Sequence, residues 1–481
     1  MTWKAKVKQI GIEHVGSRVA ERKPRRQPFP LSYWDLSVDD GGAVVVDGRS
    51  IEELVASFGS PLHVVQANRL DAVCKEALAP LHEGNGANVF YSYKTNPVPG
   101  VLERIHTSGI GAEVISAYEY WLARQLGVPG DRIIYNGPAK SAESIAEAIA
   151  QDTLVINANS LGDLRVIEEQ AKAVGKPANA GIRVALPGGW GGQFGLEWDS
   201  PAVADAVRLG VESPHLNFIG FHSHRGVTMR TIDEVNGYLD AVLGFVEQLH
   251  ASTGWYPGIL DIGGSLACPS SSGIPTTQYR LNRALGSDVL PPDPTECVTT
   301  GAMSREAHRR ASLQADSLGV PQPLVTLEPG RALTADSQFL VATVHDVKTD
   351  RELPHLVVDA GINIAESVSH AYHQLIPATN PDAPADTSYR VVGPICTPAD
   401  VLYNNWRLPN QREGDRLLIM DTGAYCVPFS TSFSFPRPAI VEVGNGEPRL
   451  LRRAETYEDV ISRDTTSPGG AAVGEALGQE R

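Results

Sequence analysis

The 481-residue sequence lacks the marks of a membrane, secreted or nucleic-acid-binding chain. No stretch free of charge approaches the ~18 apolar residues needed for a membrane span. There is no C-x-x-C pair, and the five cysteines (Cys74, Cys268, Cys297, Cys396, Cys426) are odd in number and scattered. Neither a disulfide framework nor a zinc site is signalled, no metal is expected, and a reducing, cytoplasmic compartment fits. Positive charge is in deficit: 41 Lys+Arg against 56 Asp+Glu give a formal charge of −15, which argues against nucleic acid as a partner. The one basic cluster (Lys4, Lys6, Lys8, Arg22, Lys23, Arg25, Arg26) has no apolar segment of the secretory type. Residues 1–30 are therefore read as a solvated, flexible arm.

What is present is enough chain for two domains. From Pro61 to about residue 336, short apolar runs alternate with stretches of helical period, the signature of repeated βαβ units. The run LHVVQA (62–67) opens this region. Eight further runs follow: VFYSYK (89–94), GAEVIS (111–116), IIYNG (133–137), LVINA (154–158), IRVAL (182–186), FIGFHSH (218–224), LDIGG (260–264) and VTLEPG (325–330). Eight is the closure number of a parallel (β/α)8 barrel, here predicted over 61–336. Helices are predicted over 118–127 and 161–175, each ending on glycine, and near 304–318. The Pro-, Ser- and Thr-rich stretch 268–322 reads as a long barrel loop.

After Arg331 the texture changes to alternating strands at 339–348, 355–361, 390–396, 415–421 and 438–443. This is a second, mostly antiparallel β domain, predicted over 31–60 and 337–460 with Ala43–Val46 pairing into it. Residues 461–481 are expected to be a disordered tail.

Reacting groups of a β/α barrel collect at the carboxyl ends of its strands. Lys94, His224, Gly263-Gly264 and Glu328 through Arg331 each end one of the eight runs. Singly each is weak, since a strand-end lysine is ordinarily solvated and a Gly-Gly pair is ordinarily a turn. Together they meet one set of needs. A desolvated lysine gives up its proton more readily and so becomes a nucleophile able to form a Schiff base. Glycine turns leave backbone N–H groups open to a phosphate, and Arg331 beside Gly330 adds charge. Glu328 can keep a pyridine nitrogen protonated, and an imidazole can stack on a flat ring. Pyridoxal phosphate is the cofactor that asks for all of these.

The segments YSYKTN (91–96), GAEVIS (111–116), FHSHRG (221–226), LDIGG (260–264), LEPGR (327–331), GPICTPADVL (393–402) and DTGAY (421–425) resemble, in order and spacing, the motifs of the fold-type III pyridoxal-phosphate decarboxylases. Within that group, diaminopimelate decarboxylase is nearest, ahead of ornithine decarboxylase. The resemblance implies that Lys94 is the Schiff-base lysine, His224 the ring-stacking imidazole and Glu328 the partner of the pyridine nitrogen. It implies that Gly264, Gly330, Arg331 and Tyr425 hold the phosphate. It further implies that Cys396 reaches the active site of a partner subunit and returns a proton after carbon dioxide leaves, in a homodimer with shared sites.

Three departures from the family pattern stand out. Val227 replaces the usual serine after Gly226, and Ser265 replaces a usual third glycine, so Ser265 is expected to supply the hydroxyl that Val227 cannot. Where diaminopimelate decarboxylases carry a glutamate after the cysteine, this chain has Thr397, and the segment from Asp359 to Tyr372 holds no arginine. Asp359, Tyr372 and Thr397 are thus the candidate substrate contacts. Losing charged partners for a buried, charged substrate end costs on the order of 2–5 kcal/mol. The expected function is decarboxylation of an amino acid or amino-acid-derived intermediate other than free diaminopimelate. The alternatives are a racemase or epimerase on the same fold, and an inactive binding or regulatory relative.

Overall fold

The computed structural model describes residues 28–444 and 446–464. The basic arm, apart from Pro28–Pro30, and the tail from residue 465 lie outside the described residues. The chain divides into two compact units, Arg69–Pro269 with Asp293–Ala335, and the remainder.

The first unit is a closed parallel barrel. Its strands are Asn88–Ser92, Gly111–Val114, Ile133–Tyr135, Val155–Ala158, Ala178–Ala185, Leu216–His222, Ile259–Asp261 and Leu324–Leu327, the first to eighth in chain order. Each pairs with the next, and the ring closes where Thr326 stands beside Asn88. Most strand residues are buried, because helices cover the outside while side chains fill the inside. Local sequence sets the helix ends. Leu161–Val174 starts where the Ser160 hydroxyl accepts the Asp163 N–H and stops at Gly175. Ile232–Thr253 opens with a reciprocal cap between Thr231 and Glu234 and stops at Gly254. From this helix the Tyr238 hydroxyl reaches the carbonyls of Ser223 and Ile262 at 2.8 and 3.1 Å, which ties together the ends of the sixth and seventh strands.

The second unit is a mostly antiparallel sheet. Its ordered strands are Val401–Leu408, Thr387–Val392, His355–Val358, Gln338–Lys348, Leu62–Gln66, Ala439–Val443 and Arg449–Arg452, with Arg416–Ile419 joining Gln338–Lys348 and Leu375–Pro377. Two of its pairings are parallel, Leu62–Gln66 with Ala439–Val443 and His355–Val358 with Thr387–Val392.

Three expectations are corrected. The run Leu62–Gln66, expected to open the barrel, lies inside this second sheet between 338–341 and 439–443, which moves the barrel's start to Arg69. All five of its residues are buried, and a strand buried on both faces reads the same in either setting. Ser270–Pro292, expected within a barrel loop, joins the second unit: the Ile274 amide donates to His370 O and the Tyr372 amide to Ser272 O. Val44–Val46 pairs instead with Leu36–Val38 and Arg49–Ser50 in a small sheet of its own. At the far end, Tyr457–Ile461 is a short helix. No helix among the described residues is long and apolar enough to cross a membrane.

Candidate active site

Lys94 sits in the tight turn Tyr93–Thr95 just past the first strand, and its side chain is one-third exposed. Its Nζ lies 3.5 Å from Glu113 Oε2, on the second strand. Glu113 is buried and held on both oxygens: Ser92 Oγ donates to Oε2 at 2.6 Å, and Asn136 Nδ2 donates to Oε1 at 3.1 Å. The same Asn136 amide donates to Glu328 Oε1 at 2.5 Å, and Asn157 Nδ2 in turn donates to Asn136 Oδ1 at 2.9 Å. Successive barrel strands thus pass a chain of polar bonds across the interior, from the foot of the lysine to the eighth strand's carboxylate.

Glu328 has its other oxygen 3.5 Å from His222 Nε2 and 4.0 Å from His224 Nδ1. Burial, then the neighbouring Asp261 and Glu113 carboxylates, push the Glu328 carboxyl well above the usual range. Burial also lifts Asp261 to about 6, against its hydrogen bond with Glu328. Both imidazoles are driven well below their ordinary value, first by burial and then by nearby cations, so both are neutral near pH 7. Arg183, half-buried on the fifth strand, supplies one of those cations and is drawn electrostatically to Glu328, Glu113 and Asp261.

The carboxyl ends of the sixth to eighth strands supply a backbone cradle. The Gly264 amide donates to His224 Nδ1 at 3.3 Å, which leaves the ring proton on Nε2, directed at Ser265 Oγ at 3.1 Å. Ser265 Oγ also accepts the Gly226 amide at 2.9 Å. The hydroxyl expected to replace one lost at Val227 is therefore engaged in orienting His224, while Val227 is exposed. Glycine is required at Gly263, where φ is +65° and a Cβ would stand 2.4 Å from His224 Nδ1. Gly330 immediately precedes the short helix Arg331–Thr334, and a Cβ on it would meet Thr95 Oγ1.

These features fit pyridoxal phosphate. Glu328 is a buried acid flanked by the two neutral imidazoles, a balance that a pyridinium would complement, and Gly330 brings its backbone against Thr95 in the turn that carries Lys94. His222, His224 and Glu328 also place one donor atom each within 4.8 Å of one another, a spacing a cation could use. Both ring nitrogens of His224 already have partners, however.

The other candidates belong to the second unit. Cys396 is an exposed thiol in the turn that follows Val392. Thr397 Oγ1 accepts the Ala399 amide at 3.3 Å. Tyr425 has φ +68° and its ring lies 6.0 Å from Phe429. Asp359 is a strut: its oxygens accept the Ser60 hydroxyl at 2.6 Å and the Thr343 amide at 2.7 Å, and burial raises its carboxyl. Tyr372 is buried among Phe29 and Trp406. Asp359 is half-buried and lines a cavity with Ser60, His345 and Phe435, whereas Tyr372 is closed off from solvent.

Sequence reasoning missed Glu113, Asn136, Asn157, Arg183, His222 and Asp261. One signal was available: Glu113, Asn136, Asn157, Arg183 and Asp261 each interrupt an otherwise apolar barrel run, and His222 stands two residues before His224 in the same run.

The model of the pyridoxal-binding domain of pyridoxal-dependent decarboxylases matches residues 69–335, the bounds of the barrel unit. The chain is 27% identical to the diaminopimelate decarboxylase of Methanocaldococcus jannaschii over 448 residues, 89% of this chain and 96% of that one. It is 27% identical to the Aquifex aeolicus diaminopimelate decarboxylase, covering 87% and 95%. The crystal structure of the M. jannaschii enzyme superimposes with a TM-score of 0.80 at 25% identity, over 92% of this chain and 100% of that one.

Proposed function

Since the chain belongs to the pyridoxal-dependent decarboxylase family, we propose that it removes the α-carboxylate of an amino acid, or of an amino-acid-derived biosynthetic intermediate, other than free diaminopimelate. The observation that carries the catalytic reading is the bonded path from Lys94 through Glu113 and Asn136 to Glu328, inside the segment matched by the pyridoxal-binding model. When bound, the cofactor supplies an electron sink for the pair left as the Cα–carboxylate bond breaks. Lys94 would hold the cofactor through its Nζ, beside the Glu113 carboxylate. Glu328, kept from full ionisation by burial and by Asp261, would hold the pyridine nitrogen. His224, neutral and held by Gly264 and Ser265, would support the face of the ring. Gly264, Gly330, Arg331 and Tyr425 take the phosphate, and Cys396 returns the proton at Cα.

We place Cys396 in the site of a second copy, so that the working form is a homodimer. Two features support this: the thiol is exposed, and so are Phe429, Phe433 and Phe435, just beyond Tyr425 in the chain, as unburied apolar side chains that a partner would cover. A cytoplasmic location goes with this reading, since all five cysteines are free thiols.

The substrate argument rests on Thr397 and on the segment Asp359–Tyr372, which has no arginine. A carboxylate and an ammonium at the remote end of a substrate need charged partners once water is excluded. Here an amide, a hydroxyl or a conjugated group is better matched. The names of the relatives make diaminopimelate the competing choice. Steady-state kinetics with carbon dioxide release as the readout decides, on meso-diaminopimelate, lysine, ornithine, arginine and neutral or conjugated amino acids. A highest kcat/KM for diaminopimelate would overturn the substrate proposal and leave the decarboxylase assignment intact.

A further inference from the structure

The fifth strand runs into a loop, residues 187–195, of sequence PGGWGGQFG, in which five of nine residues are glycine. Gly188, Gly192 and Gly195 have φ of +78°, +72° and +77°, backbone that bends as few other residues allow. The loop is nevertheless anchored. Asn159 donates its Nδ2 to Gln193 O and accepts the Gly195 amide on Oδ1, both at 2.8 Å. Its two aromatic residues stack on each other, Trp190 on Phe194, with ring centres 5.6 Å apart and planes 22° apart. Phe194 lies over the guanidinium of Arg183 at 4.8 Å. Trp190 lies 5.8 Å from the His224 ring, tilted by 50°.

The seat for Trp190 is built from the other side as well. Gly226, two residues beyond His224, has φ +74°, and a Cβ there would stand 2.1 Å from the indole. Any side chain at 226 would push Trp190 off the imidazole. Yet the indole is 46% exposed, so the contact contributes little to the core. An aromatic side chain left half in water, admitted by a glycine and aimed at one imidazole, points to a task at that imidazole.

We propose that Trp190 is a positioning residue for the cofactor: it backs His224 and fixes the plane in which that imidazole meets the pyridoxal ring. The inference rests on the reading of His224 as the stacking residue. Ser265 and Gly264 hold the edge of the ring through its nitrogens, which still allows it to rock about the line joining them, and a large flat neighbour blocks that motion. The Phe194 stack and the Arg183 contact carry the support to the carboxyl end of the fifth strand, in register with His222, which is itself in register with Asp261.

The test uses the full-length protein stripped of cofactor and titrated with pyridoxal phosphate, with the visible circular dichroism of the bound cofactor as the readout of its orientation. Trp190→Ala is expected to weaken binding roughly three- to tenfold, the scale of one aromatic contact, and to diminish the visible dichroic band. Trp190→Phe should restore most of both, and the melting temperature should change little in either. Gly226→Ala, which displaces the indole, should diminish the band on its own and add nothing to Trp190→Ala. A band lost in His224→Ala but unchanged in Trp190→Ala would overturn the proposal alone. No visible band in the unsubstituted protein would overturn the cofactor-stacking reading and the proposal together.

Discussion

The Asn136 side-chain amide lies 2.5 Å from the Glu328 carboxylate, a bond between the third and eighth strand ends across the barrel interior. The same amide holds Glu113, so one asparagine keeps two buried acids in place. Asn136→Leu would leave both without this donor. A buried acceptor stripped of its partner costs about 1–3 kcal/mol. A lower melting temperature, together with weaker cofactor retention, is expected. Unaltered retention would show that the Glu328 geometry is set without Asn136.

Lys94→Ala should abolish covalent attachment of the cofactor. Borohydride reduction of the unsubstituted enzyme followed by peptide mapping should put the label on the peptide carrying Lys94. A label elsewhere would remove the lysine from its assigned role.

Cys396 is assigned to the site of the partner subunit. Lys94→Ala and Cys396→Ala homodimers, each inactive, should regain activity when mixed under subunit exchange, because a mixed dimer holds one intact site. The ceiling is about one quarter of wild-type activity, for random exchange of equal amounts with one competent site in each mixed dimer. No recovery despite proven exchange would place Cys396 in its own subunit's chemistry.

Glu119 follows Ser116 at a helix start and accepts the Ile115 amide at 2.8 Å; burial, then the Glu113 charge, raise its carboxyl to about 7. In the unfolded chain it ionises near the ordinary carboxylate value, so between there and 7 the folded state binds more protons and stability falls as pH rises. Glu119→Gln keeps the acceptor and removes the ionisation. It should raise the melting temperature at pH 8, by an amount corresponding to about 3–4 kcal/mol at most, and have almost no effect near pH 4. Equal effects at both pH values would contradict the burial argument.

Asp359 bonds to Ser60 and Thr343 within its own unit. Asp359→Ala should therefore act on stability, by about 1–3 kcal/mol, through the Thr343 amide it strands, while the Ser60 hydroxyl keeps its bond to the Thr343 hydroxyl. If KM rose instead with an unchanged melting temperature, Asp359 would be a substrate contact after all.

Much of this architecture is decided locally. The eight barrel runs are short, apolar and bounded by glycine, proline or asparagine, so their strand character and their number follow from neighbours in the chain. Lys94, His224 and Glu328 follow with them, because in a parallel barrel every strand's carboxyl end faces the same mouth. Leu62–Gln66 is different. It is as fully buried as a barrel strand, and only pairing with partners more than 270 residues away assigns it to the other sheet. The Ser270–Pro292 segment likewise takes its place through backbone bonds to residues around 370. The same holds for the polar layer beneath the mouth: Glu113, Asn136, Arg183 and Asp261 are isolated polar residues in their own runs, and become a network only when closure of the barrel sets their strands side by side. Sequence fixes which side of a strand end a residue belongs to. Which buried acids raise one another's carboxyls, which amide serves two of them, and why Gly226 must be glycine are set by contacts between distant strands, where burial in a closed interior makes ordinary side chains depend on one another.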